Sequence, residues 1–171
     1  GAEKMSKSLG NIKTVRDLCV QHSGEVLRYA LLSGQYRSQL SWSDDVVAQA
    51  KSSLDSLYQA LRDNPETETI TPAEMSNLTI KDYPNNVVEP LLDDLNSPMA
   101  LASMHDLAAN LQKSATPKDT YRAKQALLAG GRLLGLLDQN PDAYFKRKSE
   151  NSNLNSNEIE RLIIERTAAR E

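Results

Sequence analysis

Several things are scarce in this chain, and each scarcity excludes something. A single cysteine, Cys19, among 171 residues rules out an internal disulfide and fits a reducing cytosol. Aromatic residues make up 5% of the sequence and Phe145 is the sole phenylalanine, so any core must be built mainly from Leu, Ile, Val and Ala. There is no basic excess: 20 Lys and Arg against 23 Asp and Glu give a net charge of −3. That excludes RNA binding by bulk electrostatics alone, because domains that work this way carry a clear positive balance. No apolar run approaches the roughly 18 residues needed to span a bilayer, and the first residues form no apolar signal region. The expectation is a soluble, cytoplasmic chain of about one domain, with no membrane partner.

What is present is helical punctuation and periodicity. Residues 1–15 read as loop. Ser23 is placed to cap a helix carrying Val26, Leu27, Ala30 and Leu31 and ended by Gly34. Tyr36 to Ser43 reads as short and irregular or extended. Ser43 then caps the clearest helix, with Asp44 and Asp45 where they favour the positive end of its dipole. Val46, Val47, Ala50, Leu54, Leu57, Tyr58 and Leu61 form one stripe along it. Asn64 to Asn86 holds three prolines, threonines and acidic residues without periodicity, and reads as an exposed connection. A helical piece over Val87 to Asp94 follows. Ser97-Pro98 and Thr116-Pro117 each pair a cap with a proline at the first helical position.

The helix after Ser97 turns Leu101, Met104, Leu107, Ala108 and Leu111 inward. The one after Thr116 carries Tyr121, Leu127, Leu128, Leu134 and Leu137. Gly130-Gly131 in its middle costs about 1 kcal/mol per glycine against alanine, which implies close approach to a neighbouring helix. Lys146 to Ser156 is polar, and Ser156 caps a last helix. Four or five antiparallel amphipathic helices make an all-α helix bundle.

The candidate chemistry sits at the two ends. Lys4, Ser6, Lys7 and Ser8, with Gly10 close behind, give a hydrophilic loop that can close two ammonium groups on a polyphosphate. Lysine is a compact point charge suited to non-bridging phosphate oxygens. Alone, K-x-S-K-S is a weak signal, and two solvated lysines are its plain alternative. Cys19-x-x-His22 lacks the third and fourth ligands of a zinc site; Cys19 reads as a small core residue and His22 as a helix edge. His105 beside Asp106 reads as a surface histidine. Asp93-Asp94 reads as the end of one helix and the cap of the next. No metal ligand set is found. Lys146-Arg147-Lys148 is either a solvated basic run or a contact with RNA phosphate. On the last helix, Arg166 and Arg170 continue the face of Ile159, Leu162 and Ile163 at seven-residue offsets. They either snorkel at the end of the bundle or project towards single-stranded bases, where guanidinium groups stack and hydrogen-bond.

The order of motifs adds a resemblance. Lys4-Met5-Ser6-Lys7-Ser8 resembles the KMSKS signature loop of class I aminoacyl-tRNA synthetases. It leads into Leu9-Gly10-Asn11, Thr14-Val15-Arg16-Asp17, Val26-Leu27-Arg28-Tyr29 and Ser33-Gly34-Gln35-Tyr36-Arg37-Ser38-Gln39-Leu40. Leu92-Asp93-Asp94-Leu95-Asn96-Ser97-Pro98 and Leu133-Leu134-Gly135-Leu136-Leu137 follow in turn. As a set these resemble the C-terminal half of a bacterial cysteinyl-tRNA synthetase over nearly all of the chain. Gln35 stands where that family usually has histidine. The upstream nucleotide-binding fold, its His-x-Gly-His motif and its zinc ligands are not among these residues.

The resemblance implies an ATP-dependent cysteine–tRNA ligase, with Lys7 as the main ATP-phosphate contact supported by Lys4 and Ser6. It implies a KMSKS loop and stem-contact region over residues 1–43. A helical, anticodon-side tRNA-binding bundle then covers 44–171, with a polar linker at about 64–86. Arg37, Arg166 and Arg170 become tRNA-binding candidates. ATP with Mg is a substrate, and zinc, cysteine and the rest of the ATP site belong to the other half of the enzyme, so the isolated chain is expected to be an inactive monomer. Two alternatives stay open: a related ligase joining cysteine to an amino-sugar inositol, and a free-standing RNA-binding module.

Overall fold

The computed structural model describes residues 14–38, 42–65 and 77–147. Among the described residues the regular structure is helical and no strand occurs, so the all-α expectation holds.

Helix α1, Val15–Gln21, begins where the sequence had been read as loop. Its start is a reciprocal cap: the Asp17 amide donates to the Thr14 hydroxyl at 3.2 Å, while the Thr14 amide and hydroxyl donate to the Asp17 carboxylate at 2.9 and 2.6 Å. A T-x-x-D spacing thus does the work usually given to glutamate or glutamine three residues after the cap. The Thr14 hydroxyl, then its amide, hold the Asp17 carboxyl below its ordinary value. Leu18 is the residue α1 buries, and Cys19 is exposed. The core role expected of Cys19 is therefore corrected, because one residue along a helix turns the side chain about 100° away from its neighbour.

Ser23 caps α2, Gly24–Leu32, accepting from the Val26 amide at 3.3 Å. This helix buries Val26, Leu27, Tyr29 and Ala30, whereas Leu31 points outward at 56% exposure. Ser43 caps α3, Asp44–Arg62, as its sequence demands. Leu54, Leu57, Tyr58 and Ala60 are fully buried along it. Burying a leucine completely contributes about 1.5–3 kcal/mol, which makes this stripe the main adhesive of the helix.

A short 3₁₀ turn, Ile80–Asp82, precedes α4, Asn85–Leu92, so the connection read over 64–86 ends in ordered structure. Helix α5, Ser97–Lys113, is capped by Asn96 and not by Ser97; the Asn96 side chain accepts from the Met99 amide at 3.2 Å. Pro98 then falls at the second helical position, where its missing N–H is still harmless. Thr116 caps α6, Pro117–Leu134, as expected. The helix stops at Gly135, whose φ of 67° is left-handed. Gly135 N donates to Arg132 O and Leu136 N to Gly131 O, a Schellman closure. Leu137 therefore lies beyond α6 and not on it.

Helix α5 packs against α3, α4 and α6, and α3 packs against α2. The close approach read from the two glycines is present at Gly130, where an added Cβ would lie 2.6 Å from Met104 Sδ of α5. Gly131 serves a different contact: its Cβ would lie 2.8 Å from the carbonyl oxygen of Leu136 in the turn that folds back over α6. Lys124 ties α6 to the end of α3, donating from Nζ to the Asn64 carbonyl at 2.8 Å. Burial pushes its ammonium below the ordinary value.

All of these elements belong to one compact unit, Gly1–Asp138; a second comprises Gln139–Glu171. In the second, the Asn140 side chain accepts from the Asp142 and Ala143 amides at 3.0 and 3.2 Å and starts α7, residues 141–147. Lys146 and Arg147, which open the polar stretch read from the sequence, are helical.

Candidate nucleic-acid interface

Of the residues expected to bind ATP or tRNA, Arg37 is the one among the described residues. Lys4, Ser6, Lys7, Arg166 and Arg170 lie outside the described residues, as does the helix expected after Ser156. Arg37 follows α2 in a turn closed by the Ser38 amide donating to the Gln35 carbonyl at 2.9 Å. Its Nη2 lies 2.8 Å from Asp94 Oδ1, and its Nε donates to the Tyr36 hydroxyl at 2.7 Å. The Tyr36 hydroxyl in turn donates to Asp94 Oδ1 at 2.9 Å, and the guanidinium lies 5.3 Å from the Tyr36 ring centre.

This triangle is open to water: the Arg37 and Asp94 side chains are 70% and 56% exposed. Exposed ion pairs contribute only about 0–1 kcal/mol, so an incoming phosphate can compete for the guanidinium at little cost. Asp94 belongs to the α4–α5 turn, where it and Leu95 adopt left-handed backbone with φ of 56° and 51°. Two consecutive non-glycine residues in that region cost about 1–3 kcal/mol each and persist only where the surroundings enforce them. Asp93 does close α4, as the sequence suggested, but Asp94 aims at Arg37 and caps nothing. Leu92 and Leu95 beside it are 76% and 57% exposed.

A second constellation, centred on a buried carboxylate, escaped the sequence reading. Glu25 on α2 is 8% exposed and accepts from the Tyr58 hydroxyl of α3 at 3.0 Å on both carboxylate oxygens. Its Oε1 also accepts the Leu137 amide at 2.7 Å. Three residues on, Arg28 donates from Nη1 to the Gly135 carbonyl. The pairs are 112 and 107 positions apart, so no local pattern announces them.

His105 is corrected from surface histidine to a half-buried residue whose Nε2 lies 2.8 Å from the Tyr29 hydroxyl. Burial holds its imidazolium below the ordinary value, against the pull of Asp106. Burial likewise raises the Tyr29 phenol, opposed by a hydrogen bond with Ser53. Among the described residues no group of three or more His, Cys, Asp or Glu is placed to hold a metal ion. His22 closes α1 as its C-cap, as expected of a helix edge. Also among the described residues, no helix is long and apolar enough to cross a membrane.

Comparison with known proteins gives these geometries a context. Residues 1–52 match the model for the tRNA synthetases class I (C) catalytic domain, and residues 86–138 match the DALR domain. Both matches are to parts of class I tRNA synthetases, and the described residues within them are helical. Its relatives are more specific. It is 45% identical over 170 residues to the cysteine–tRNA ligase of Parvibaculum lavamentivorans, covering 99% of this chain and 35% of the relative. Against the ligase of Saccharophagus degradans the identity is 46% over 169 residues, with 98% and 35% covered. For Paramagnetospirillum magneticum it is 44% over 168 residues, again 98% and 35%.

The resemblance to the C-terminal part of bacterial cysteine–tRNA ligases is therefore borne out over nearly all of this chain. The chain spans about a third of the length of those curated relatives, 35% in each case. Residues 1–52 carry α1, α2 and the start of α3, and residues 86–138 carry most of α4 with α5, α6 and the turn after it.

Proposed function

We propose that this chain acts within a cysteine–tRNA ligase, carrying the phosphate-binding signature loop and helices that hold tRNA(Cys). The carrying observation is the identity of 45% across 99% of the chain to a cysteine–tRNA ligase, with Lys4-Met5-Ser6-Lys7-Ser8 inside the stretch that matches the class I catalytic domain. In the reaction, the cysteine carboxylate attacks the α-phosphorus of ATP and pyrophosphate leaves. A terminal hydroxyl of tRNA then attacks the adenylate carbonyl, and AMP leaves. Lys7, supported by Lys4 and Ser6, neutralises charge as it gathers on the phosphates, a contribution that is often the largest in such transition states.

ATP would enter with Mg, and zinc would belong to the catalytic half of the enzyme that holds the amino-acid pocket. Residues 1–43 would serve as loop and stem-contact region and 44–171 as the tRNA-binding bundle, in a monomeric, cytoplasmic enzyme. Arg37 supports this reading through its exposure, since its guanidinium is paired with Asp94 by a bond weak enough for phosphate to displace.

The test is a ligase of the relatives' full length that contains this chain. It should catalyse cysteine-dependent ATP–pyrophosphate exchange and charge tRNA(Cys). Exchange without tRNA charging, with cysteine passed instead to an amino-sugar inositol, would refute the assignment in favour of the related ligase. RNA binding without exchange would leave a free-standing binding module.

A further inference from the structure

The constellation on α2, with Glu25 buried and Arg28 exposed, lies at a seam. Glu25 and Arg28 fall in the stretch that matches the class I catalytic domain, and Gly135 and Leu137 fall in the stretch that matches the DALR domain. Across that seam α2 grips one tight turn by its backbone, not by its side chains. Arg28 holds a carbonyl and Glu25 holds an amide two residues on. Backbone is the more rigid handle, because it cannot change rotamer to escape.

The turn itself is built to be held. Gly135 is left-handed at φ 67° and Leu137 at φ 62°, the latter a costly conformation for a branched apolar residue. The amide that this conformation exposes is the one Glu25 accepts. Gly131 lets the turn lie directly on α6, since any Cβ there would meet the Leu136 carbonyl at 2.8 Å. Gly135 leaves room for the guanidinium in the same way: a Cβ would lie 2.8 Å from Arg28 Nη1. On the α2 side, Tyr58 of α3 bonds both oxygens of Glu25 and fixes the direction of the carboxylate.

We infer that Glu25 and Arg28 are positioning residues that set the register between the signature-loop arm and the tRNA-holding helices, and so place the tRNA terminus for acyl transfer; this rests on the ligase reading above. Adenylation needs the nucleotide site and the loop alone. Transfer also needs the tRNA body, seated on one side of the seam, to deliver its end to an adenylate held on the other. A misplacement of about 1 Å at such a distance can cost a factor on the order of 10² in rate without weakening binding.

The experiment uses the full-length ligase containing this chain, with Arg28→Ala and Arg28→Lys. Arg28→Ala should lower kcat for tRNA charging by at least about tenfold, while the KM for tRNA stays within about threefold and ATP–pyrophosphate exchange within about twofold. Arg28→Lys, which keeps the charge and one donor to the Gly135 carbonyl, should recover most of the lost kcat. Exchange falling in step with charging, or a melting temperature lowered by more than about 10 °C, would make the pair a fold contact only and overturn the inference. Unchanged charging in a well-folded Arg28→Ala enzyme would overturn it too, as would a lysine variant as slow as alanine. A wild-type enzyme without cysteine-dependent exchange would overturn the ligase reading itself, and is told apart because the failure precedes any substitution.

Discussion

The hydroxyl of Tyr29 and Nε2 of His105 lie 2.8 Å apart, joining α2 to α5 with their rings edge to face. The imidazole is held neutral by burial, so its folded-state pKa lies below the ordinary 6.5. Between those two values the unfolded chain binds more protons than the folded one, and stability must rise with pH. Above the ordinary value this contribution is flat. The groups facing it are Tyr29 from α2, with Ser53 of α3 behind the phenol, and Asp106 on its own helix. Asp17 and Asp82 titrate below 3.8 and fall outside that window. Urea midpoints measured from pH 5 to 8 should climb with pH in the wild type, and less steeply in His105→Gln. Identical slopes would show that His105 is not the titrating group.

The two central glycines of α6 should differ when replaced. Alanine is favoured over glycine in a helix by about 1 kcal/mol, yet both positions are crowded. At Gly130 the obstacle is the Met104 sulfur, which belongs to a flexible side chain. At Gly131 it is the Leu136 carbonyl, which is backbone and cannot swing aside. Gly131→Ala should therefore destabilise by about 1–3 kcal/mol, as overpacking does, and Gly130→Ala by distinctly less. Equal denaturation midpoints for the two variants would contradict this account of the turn.

For the signature loop, Lys7→Ala in the full-length ligase should lower kcat for adenylation by about 10²–10³ with little change in the KM for cysteine. ATP–pyrophosphate exchange measures it directly. A rate within about threefold of wild type would remove Lys7 from the phosphate site.

The tRNA contacts proposed for the arginines separate in the same assays. Replacing Arg166 and Arg170 together by alanine should raise the KM for tRNA(Cys) and leave adenylate formation intact, each contact contributing about 1–3 kcal/mol if it reads a base. A loss of charging that follows a lowered melting temperature would instead make them snorkelling residues of the last helix. Arg37→Ala should weaken tRNA binding more at low salt than at high salt, as a phosphate contact does. No dependence on salt would confine Arg37 to its pair with Asp94.

Ser43 with Asp44 and Asp45, Thr116 with Pro117, and the stripe from Val47 to Leu61 determined by themselves where α3 and α6 begin and which face α3 buries. Those signals act within one or two turns, so the chain states them locally. The order of motifs from Lys4 to Leu137 likewise carried the relationship to the cysteine–tRNA ligases. Local signals failed where two spacings competed: α1 starts on a T-x-x-D cap that differs from the usual pattern, and Asn96 takes the cap that Ser97-Pro98 seemed to claim. Only the tertiary structure decided that Arg37 faces Asp94, that His105 is half-buried against Tyr29, and that Glu25 and Arg28 close on the turn at Gly135 to Leu137. The hydrogen bonds in these clusters reach 58 positions apart, for Tyr36 and Asp94, and 112 apart, for Glu25 and Leu137. Such partners meet because α3, α5 and α6 pack their apolar faces together, and periodicity along one helix holds no record of which distant turn that packing brings near.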